Sequence, residues 1–197
     1  MAAEVLELHL ETPQARFIKK AVQVFQKGGI VVYPTDSGYS IGCDPNSAKA
    51  LDKLYKIKKE KKYVMALMLG DLKNISEYTT MGNSSFRFIK ERIPGPYTFI
   101  LKAQNHIARK LKVKRWEIGV RVSDHPVMKA LFEEMQTPIL NTAARINEDD
   151  EYTHPVDLED AFEGCVDLIL TCGEIQHHPT NVINLTEDYP EVIRGEV

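Results

Sequence analysis

Apolar positions along this chain follow two periods. Phe17, Ile18, Ala21, Val22 and Phe25 recur at the three- and four-residue spacing of a helix. Thr12-Pro13 offers an N-cap and a first helical position, and Gly28-Gly29 stops the run. Ile30 to Tyr33 are then all β-branched or aromatic, the pattern of a buried strand. Pro34 has no N–H to donate and is expected to end that strand's ladder. Thr35, Asp36, Ser37 and Gly38 form a dense polar turn, with Gly42 a little further on.

The same two periods continue to the C-terminus. Ser47 is placed to cap a helix carrying Leu51, Leu54 and Tyr55 on one face. Val64–Leu69 reads as a short strand, 84–92 as a helix, and 97–102 as a strand after Pro94-Gly95-Pro96. Glu117–Val122 alternates as a strand does, and His125-Pro126 leads into a helix with Val127, Leu131, Phe132 and Met135. Further strands are predicted at 138–142, 166–171 and 181–186, with a helix near 156–163. Strands and helices alternate without a strict βαβ order, so the pattern predicts one α/β domain over residues 1–197 with a mixed sheet.

Composition narrows the class. With 43% hydrophobic residues in 197, the chain can build one substantial core. No run approaches the ~20 apolar residues of a membrane helix, and the acidic start MAAEVLELHLETP is unlike a signal peptide, so a cytoplasmic protein without membrane contact is expected. Cys43, Cys165 and Cys172 are odd in number, widely spaced and free of any CxxC, which suits a reducing compartment and argues against a thiolate metal site. His177-His178 are adjacent rather than spaced for a metal and read as loop residues. A net charge of −3 means that any attraction to nucleic acid is local.

Several strands end in one polar group. A strand running into hydroxyls and glycines, as at Thr35, is a common way for an α/β fold to present a ligand site; an ordinary turn uses the same residue types. Residues 53–63, KLYKIKKEKKY, hold six lysines against one glutamate. Lys58, Lys59, Lys61 and Lys62 form a positive cluster suited to phosphate or RNA backbone, or equally a solvated helix end. Arg121 sits among apolar strand neighbours and so requires a carboxylate or phosphate partner, structural or ligand-borne. Thr142 ends the apolar run 138–140, and Arg194 follows Val192-Ile193. There is no GxSxG, HExxH, Walker A or GxGxxG, and no nucleophile or base stands out.

Taken in order, these segments resemble the YrdC/YciO family of threonylcarbamoyl-adenylate synthase-like proteins. VVYPTDSGYSIGCDP is similar to its strand–PT[DE]–glycine signature and IPGPYTFIL to its PGP-x-T segment. IGVRVSDHP resembles its V-R-x-x-x-H-P segment, and TNVINLTEDYPEVIRG its closing strand pair with a terminal Arg. The likeness runs from about residue 14 to 197. It implies a twisted mixed parallel and antiparallel sheet with helices and a large concave, positively charged cleft. The implied reaction joins L-threonine, bicarbonate and ATP, with Mg2+, into threonylcarbamoyl-AMP and pyrophosphate for a tRNA modification. No tightly bound protein metal is implied, and tRNA or double-stranded RNA is an implied partner.

Carried over by position, the resemblance implies that Thr35, Arg121, Thr142 and Thr180 bind threonine or its carbamate. Lys58 and Arg194 would serve the nucleotide, and Arg145 would be within reach of a phosphate. The departures concern the nucleotide half. The Arg of a K-x-R motif falls on Glu60, an S-x-N pair becomes Ala143-Ala144-Arg145, and a position often Ser or Thr is Glu117. Asn181 and Asn184 replace the usual Thr and Asp. A carboxylate in place of a guanidinium removes a phosphate fork and adds repulsion. The threonyl half therefore looks kept and the ATP half altered, which points to the YciO-like branch. A binding protein for RNA, or one that hydrolyses the threonylcarbamoyl group of modified tRNA, is the alternative. Oligomeric state is left open.

Overall fold

Side chains alternate along the strand Ile30–Thr35: Ile30 and Val32 enter one apolar core, Val31 and Tyr33 another, and all four are buried. A strand buried on both faces needs a helix layer on each side, and the computed structural model supplies both. It describes residues 3–58, 65–113, 116–147, 149–187 and 189–196. The strands are β1 (Glu4–Glu7), β2 (Ile30–Thr35), β3 (Gly38–Cys43), β4 (Ala66–Met68), β5 (Thr79–Thr80) and β6 (Tyr97–Ala103). They continue as β7 (Glu117–Arg121), β8 (Ile139–Ala143), β9 (Leu168–Thr171), β10 (Asn181–Asn184) and β11 (Glu191–Arg194). The helices are α1 (Ala15–Gln26), α2 (Ala48–Ile57), α3 (Ile75–Tyr78), α4 (Asn83–Lys90), α5 (Asn105–Lys110), α6 (Pro126–Glu134) and α7 (Pro155–Phe162).

One sheet runs β1-β9-β2-β3-β8-β4-β7-β6-β10-β11, with β5 paired to β6. Four pairs are parallel (β1-β9, β2-β9, β4-β7, β6-β10) and the rest antiparallel, the mixed sheet that the pattern predicts. On one face Ile18, Ala21, Val22 and Phe25 of α1 and Val127, Met128 and Leu131 of α6 meet Tyr33, Met68, Ile139 and Leu170. On the other, Leu51 and Leu54 of α2, Ile107 of α5 and Phe162 of α7 meet Val32, Ile41, Val120 and Ile169. No helix among the described residues is long and apolar enough to cross a membrane.

Two local expectations change. The ladder of β2 continues through Pro34, which pairs with Tyr39, and through Thr35, which pairs with Gly38. The pairing of β2 with β9 stops at Val32, so Pro34 lies where the strand has a neighbour on one side only. The predicted polar turn is thus the tip of a hairpin, and β3 begins inside it. Helix α1 starts at Ala15 rather than Pro13: Gln14 is its N-cap without a side-chain bond, and Thr12 instead pairs with His9 Nδ1 at 3.0 Å. The Ser47 cap forms as expected, accepting from Ala50 N at 3.3 Å.

Gly42 marks the tightest strand contact. A Cβ there would lie 2.7 Å from both Ile139 Cγ2 and the Tyr33 hydroxyl and 2.9 Å from the Leu140 carbonyl. Backbone cannot yield as a side chain does. Gly42→Ala is expected to cost about 1–3 kcal/mol, read as a fall of several degrees in the thermal unfolding midpoint.

Candidate functional site

Three strands separate β2 from β7 in the sheet, yet its curl brings the β2–β3 hairpin tip onto the end of β7. Arg121 closes this contact. Its Nη2 donates to Asp36 Oδ1 at 2.5 Å and its Nη1 to Ser37 Oγ at 2.7 Å. Ser123, just past β7, donates its hydroxyl to the same Asp36 oxygen. Burial pulls the Arg121 guanidinium below its ordinary value, and the Asp36 carboxylate opposes that pull. Asp36 Oδ2 and Arg121 Nε are buried without a hydrogen-bond partner among the described residues.

Thr35 builds the hairpin tip from inside. Its hydroxyl donates to Gly38 O at 2.7 Å and accepts from Ser37 N at 3.3 Å. Thr35 and Ser37 are both buried, and their hydroxyls lie 3.2 Å apart. Gly38 holds φ +110°, a conformation that disfavours any side chain. A Cβ on it would also sit 3.2 Å from His177 Nδ1. The 176–178 segment lies over the tip, and His178 N donates to Ser37 O at 3.3 Å.

A second group of polar residues faces the tip. Arg194 donates from Nε to Thr180 O at 3.0 Å and from Nη2 to Thr180 Oγ1 at 3.2 Å. Thr180 Oγ1 is in turn 2.9 Å from Thr98 Oγ1. Burial lowers the pKa of Arg194, and the like charge of Arg145 lowers it further. His177 feels both arginines: burial lowers its pKa first, Arg145 and Arg194 add to that, and Glu151 with the Ser37 backbone opposes. Lys58 Nζ donates to Ala143 O at 3.0 Å and also to Arg145 O, tying the end of α2 to the end of β8.

The structure therefore brings together Thr35 and Arg121 in one cluster and Thr180, Arg194 and Arg145 in another, with His177 between them. Arg121 has its terminal nitrogens on Asp36 and Ser37, and Thr35 is enclosed with its hydroxyl on Gly38 O, so both hold the turn. Thr142 pairs with Ile41, and alternation puts it on the Leu140 face, opposite Tyr33. No hydrogen bond among the described residues joins Thr142 to either cluster. Glu117 sits at the other end of β7 from Arg121, opposite Lys102. Asn181 and Asn184 hold the C-terminal hairpin, the first accepting from Glu196 N and the second from Thr186. Lys59, Glu60, Lys61 and Lys62 lie outside the described residues.

Sequence reasoning passed over Ser37, Asp36, Ser123, Thr98 and His177. The signal for Asp36 was its place beside a buried arginine's strand end, legible only once the hairpin is seen. Burial pushes the Cys43 thiol up to about 12. Among the described residues no group of three His, Cys, Asp or Glu side chains is placed to hold a metal ion.

A family model covering Sua5, YciO and YrdC proteins, described as "Telomere recombination", matches residues 23–195. The chain belongs to this family. It is 39% identical over 194 residues to the uncharacterized protein YciO of Escherichia coli strain K12, covering 96% of this chain and 94% of that one. The crystal structure of E. coli YciO superposes with a TM-score of 0.89 at 38% identity, over 98% of this chain and 95% of that chain. The fold is also that of P. abyssi Sua5 complexed with L-threonine, with a TM-score of 0.88 at 21% identity, over 96% of this chain and 56% of that chain. The single α/β domain with a mixed sheet expected from sequence is the fold observed.

Two measurements test the network. Asp36→Ala strands a buried guanidinium and is expected to cost about 3–5 kcal/mol in urea unfolding, while Asp36→Ala with Arg121→Met recovers most of that loss. His125 caps α6 by accepting from Val127 N at 3.2 Å through Nδ1, which requires an unprotonated nitrogen. Burial lowers its pKa against the pull of Asp36 and Asp124. The unfolded chain then takes up the proton first, so the stabilisation is present above about pH 6.5 and lost as pH falls through the lowered folded value. Urea midpoints measured from about pH 7.5 down to 5 are expected to decline, and His125→Asn, which caps without titrating, to decline less.

Proposed function

We propose that this protein is a threonylcarbamoyl-AMP synthase-like member of its family, linked in the cytoplasm to tRNA threonylcarbamoyladenosine modification, with an altered nucleotide half. The observation that carries the reading is the 176–178 segment seated on the Ser37–Gly38 turn, with His177 beside Gly38 and the charges of Arg145, Arg194 and Glu151 all felt at its ring. Two arginines at the border of a polar turn attract an anion. L-threonine, bicarbonate and ATP with Mg2+ are the substrates. The carbamate oxygen of N-carboxy-threonine attacks the α-phosphorus, the bond to the β-phosphate oxygen breaks, and pyrophosphate leaves. No side chain need act as nucleophile; Arg145 and Arg194 draw phosphate charge, and the Thr35, Ser37 and Arg121 cluster receives the threonyl carbamate. Mg2+ would travel with ATP and offset its charge.

Threonine- and bicarbonate-dependent pyrophosphate release from ATP tests this. Arg194→Ala is expected to raise KM for ATP about tenfold or more, the loss of a charge-assisted contact, with KM for threonine little changed. No release from the folded protein overturns the synthase reading. One observation bears on a second reading: Lys58, assigned to phosphate by resemblance, donates to the Ala143 and Arg145 carbonyls, so an incoming ATP phosphate competes with them for its ammonium. The second reading is a protein that binds tRNA or double-stranded RNA, with weak or no synthesis, and that hydrolyses the threonylcarbamoyl group. Salt-titrated binding of tRNA, followed by loss of the modification, distinguishes it.

A further inference from the structure

A cavity of about 780 Å3 opens beside the hairpin contact, lined by none of Thr35, Ser37, Arg121, Arg145, His177, Thr180 or Arg194. It has the size of a small-molecule site. Ile75 and Val122 are buried in its wall, and Met81, Phe86 and Ile93 continue the apolar lining. Lys73, Lys90 and Lys129 stand around it, all exposed. None of the three has a carboxylate within salt-bridge distance among the described residues. Asp71 is the one acidic lining residue, and its Oδ1 accepts from Lys73 N at 2.7 Å to close a local turn.

We propose that this cavity binds a small amphipathic anion, an acyl chain or aromatic ring carrying a carboxylate or phosphate. An apolar interior takes the body of such a ligand through burial, and three lysines against one engaged aspartate select the negative head. A neutral apolar ligand would leave the lysines without counter-charge, and a cation would meet repulsion. Ser123 lines the cavity and donates to Asp36, so the cavity and the candidate site share one wall. The two are otherwise separate in residues and in ligand chemistry.

Decanoate is the probe, followed by isothermal titration calorimetry on the full chain. Saturable one-to-one binding is expected, with no matching response from decyltrimethylammonium, which has a similar chain and the opposite charge. Replacing Lys73, Lys90 and Lys129 together by Ala is expected to weaken decanoate binding tenfold or more without moving the unfolding midpoint, because all three are exposed. Ser76 is exposed at the lining, and Ser76→Trp fills the opening with the lysines intact; it is expected to abolish binding. Arg194→Ala, which acts on the other site, is expected to leave decanoate binding unchanged. Absence of saturable binding, equal binding of the cation, or wild-type affinity in both cavity variants overturns the proposal, whatever the outcome of the pyrophosphate assay.

Discussion

A guanidinium in a protein interior needs partners for its donors, and Arg121 finds them for its two terminal nitrogens in Asp36 and Ser37. Those partners come from a hairpin that lies four strands along the sheet, so the pair forms only if the sheet curls as it does. The same contact fixes the hairpin tip, and the tip fixes Ser37, Gly38 and the 176–178 segment above them. Removing the charge pair would therefore disturb the position of every group at this end of the molecule. Its value lies in geometry more than in net stability, since a buried ion pair scarcely outweighs its desolvation.

Around that pair the site divides by charge. One side is neutral and hydroxyl-rich, with Thr35 and Ser37 held by backbone and arginine. The other is cationic, with Arg194 braced on Thr180 and Thr98 and set near Arg145. A substrate with a small polar head and a polyanionic tail matches this division. The amphipathic cavity beyond Ser123 answers to a different chemistry, an apolar body with one negative charge, and adds a second place where ligands can meet the chain.

Much of this was legible in the sequence, and the failures have physical causes. Long periodic segments such as α1, α2 and α6 declared themselves because each buries one face. β1 is almost wholly exposed and shows no alternation, and α3 and α5 have four and six residues, too few to carry a period. β3 was hidden because Gly38, Ser40 and Gly42 read as turn residues, while in the sheet they admit close neighbours. Arg121 declared its need for a partner, but a sequence cannot say whether a protein or a ligand carboxylate fills it.

The two periods, the family resemblance, the α/β class and the residue types available for chemistry are all readable along the chain, because they depend on local spacing and side-chain character. Which polar groups meet is a property of the folded molecule. Thr35 and Ser37 are both buried with their hydroxyls 3.2 Å apart because the hairpin tip folds the two onto each other. Arg121 meets Asp36 because sheet curvature sums small twists over several strands, a quantity that no short segment contains. His177 stays in a loop, as its sequence suggests, but the fold sets that loop against Gly38 and near Arg145 and Arg194, all distant in sequence.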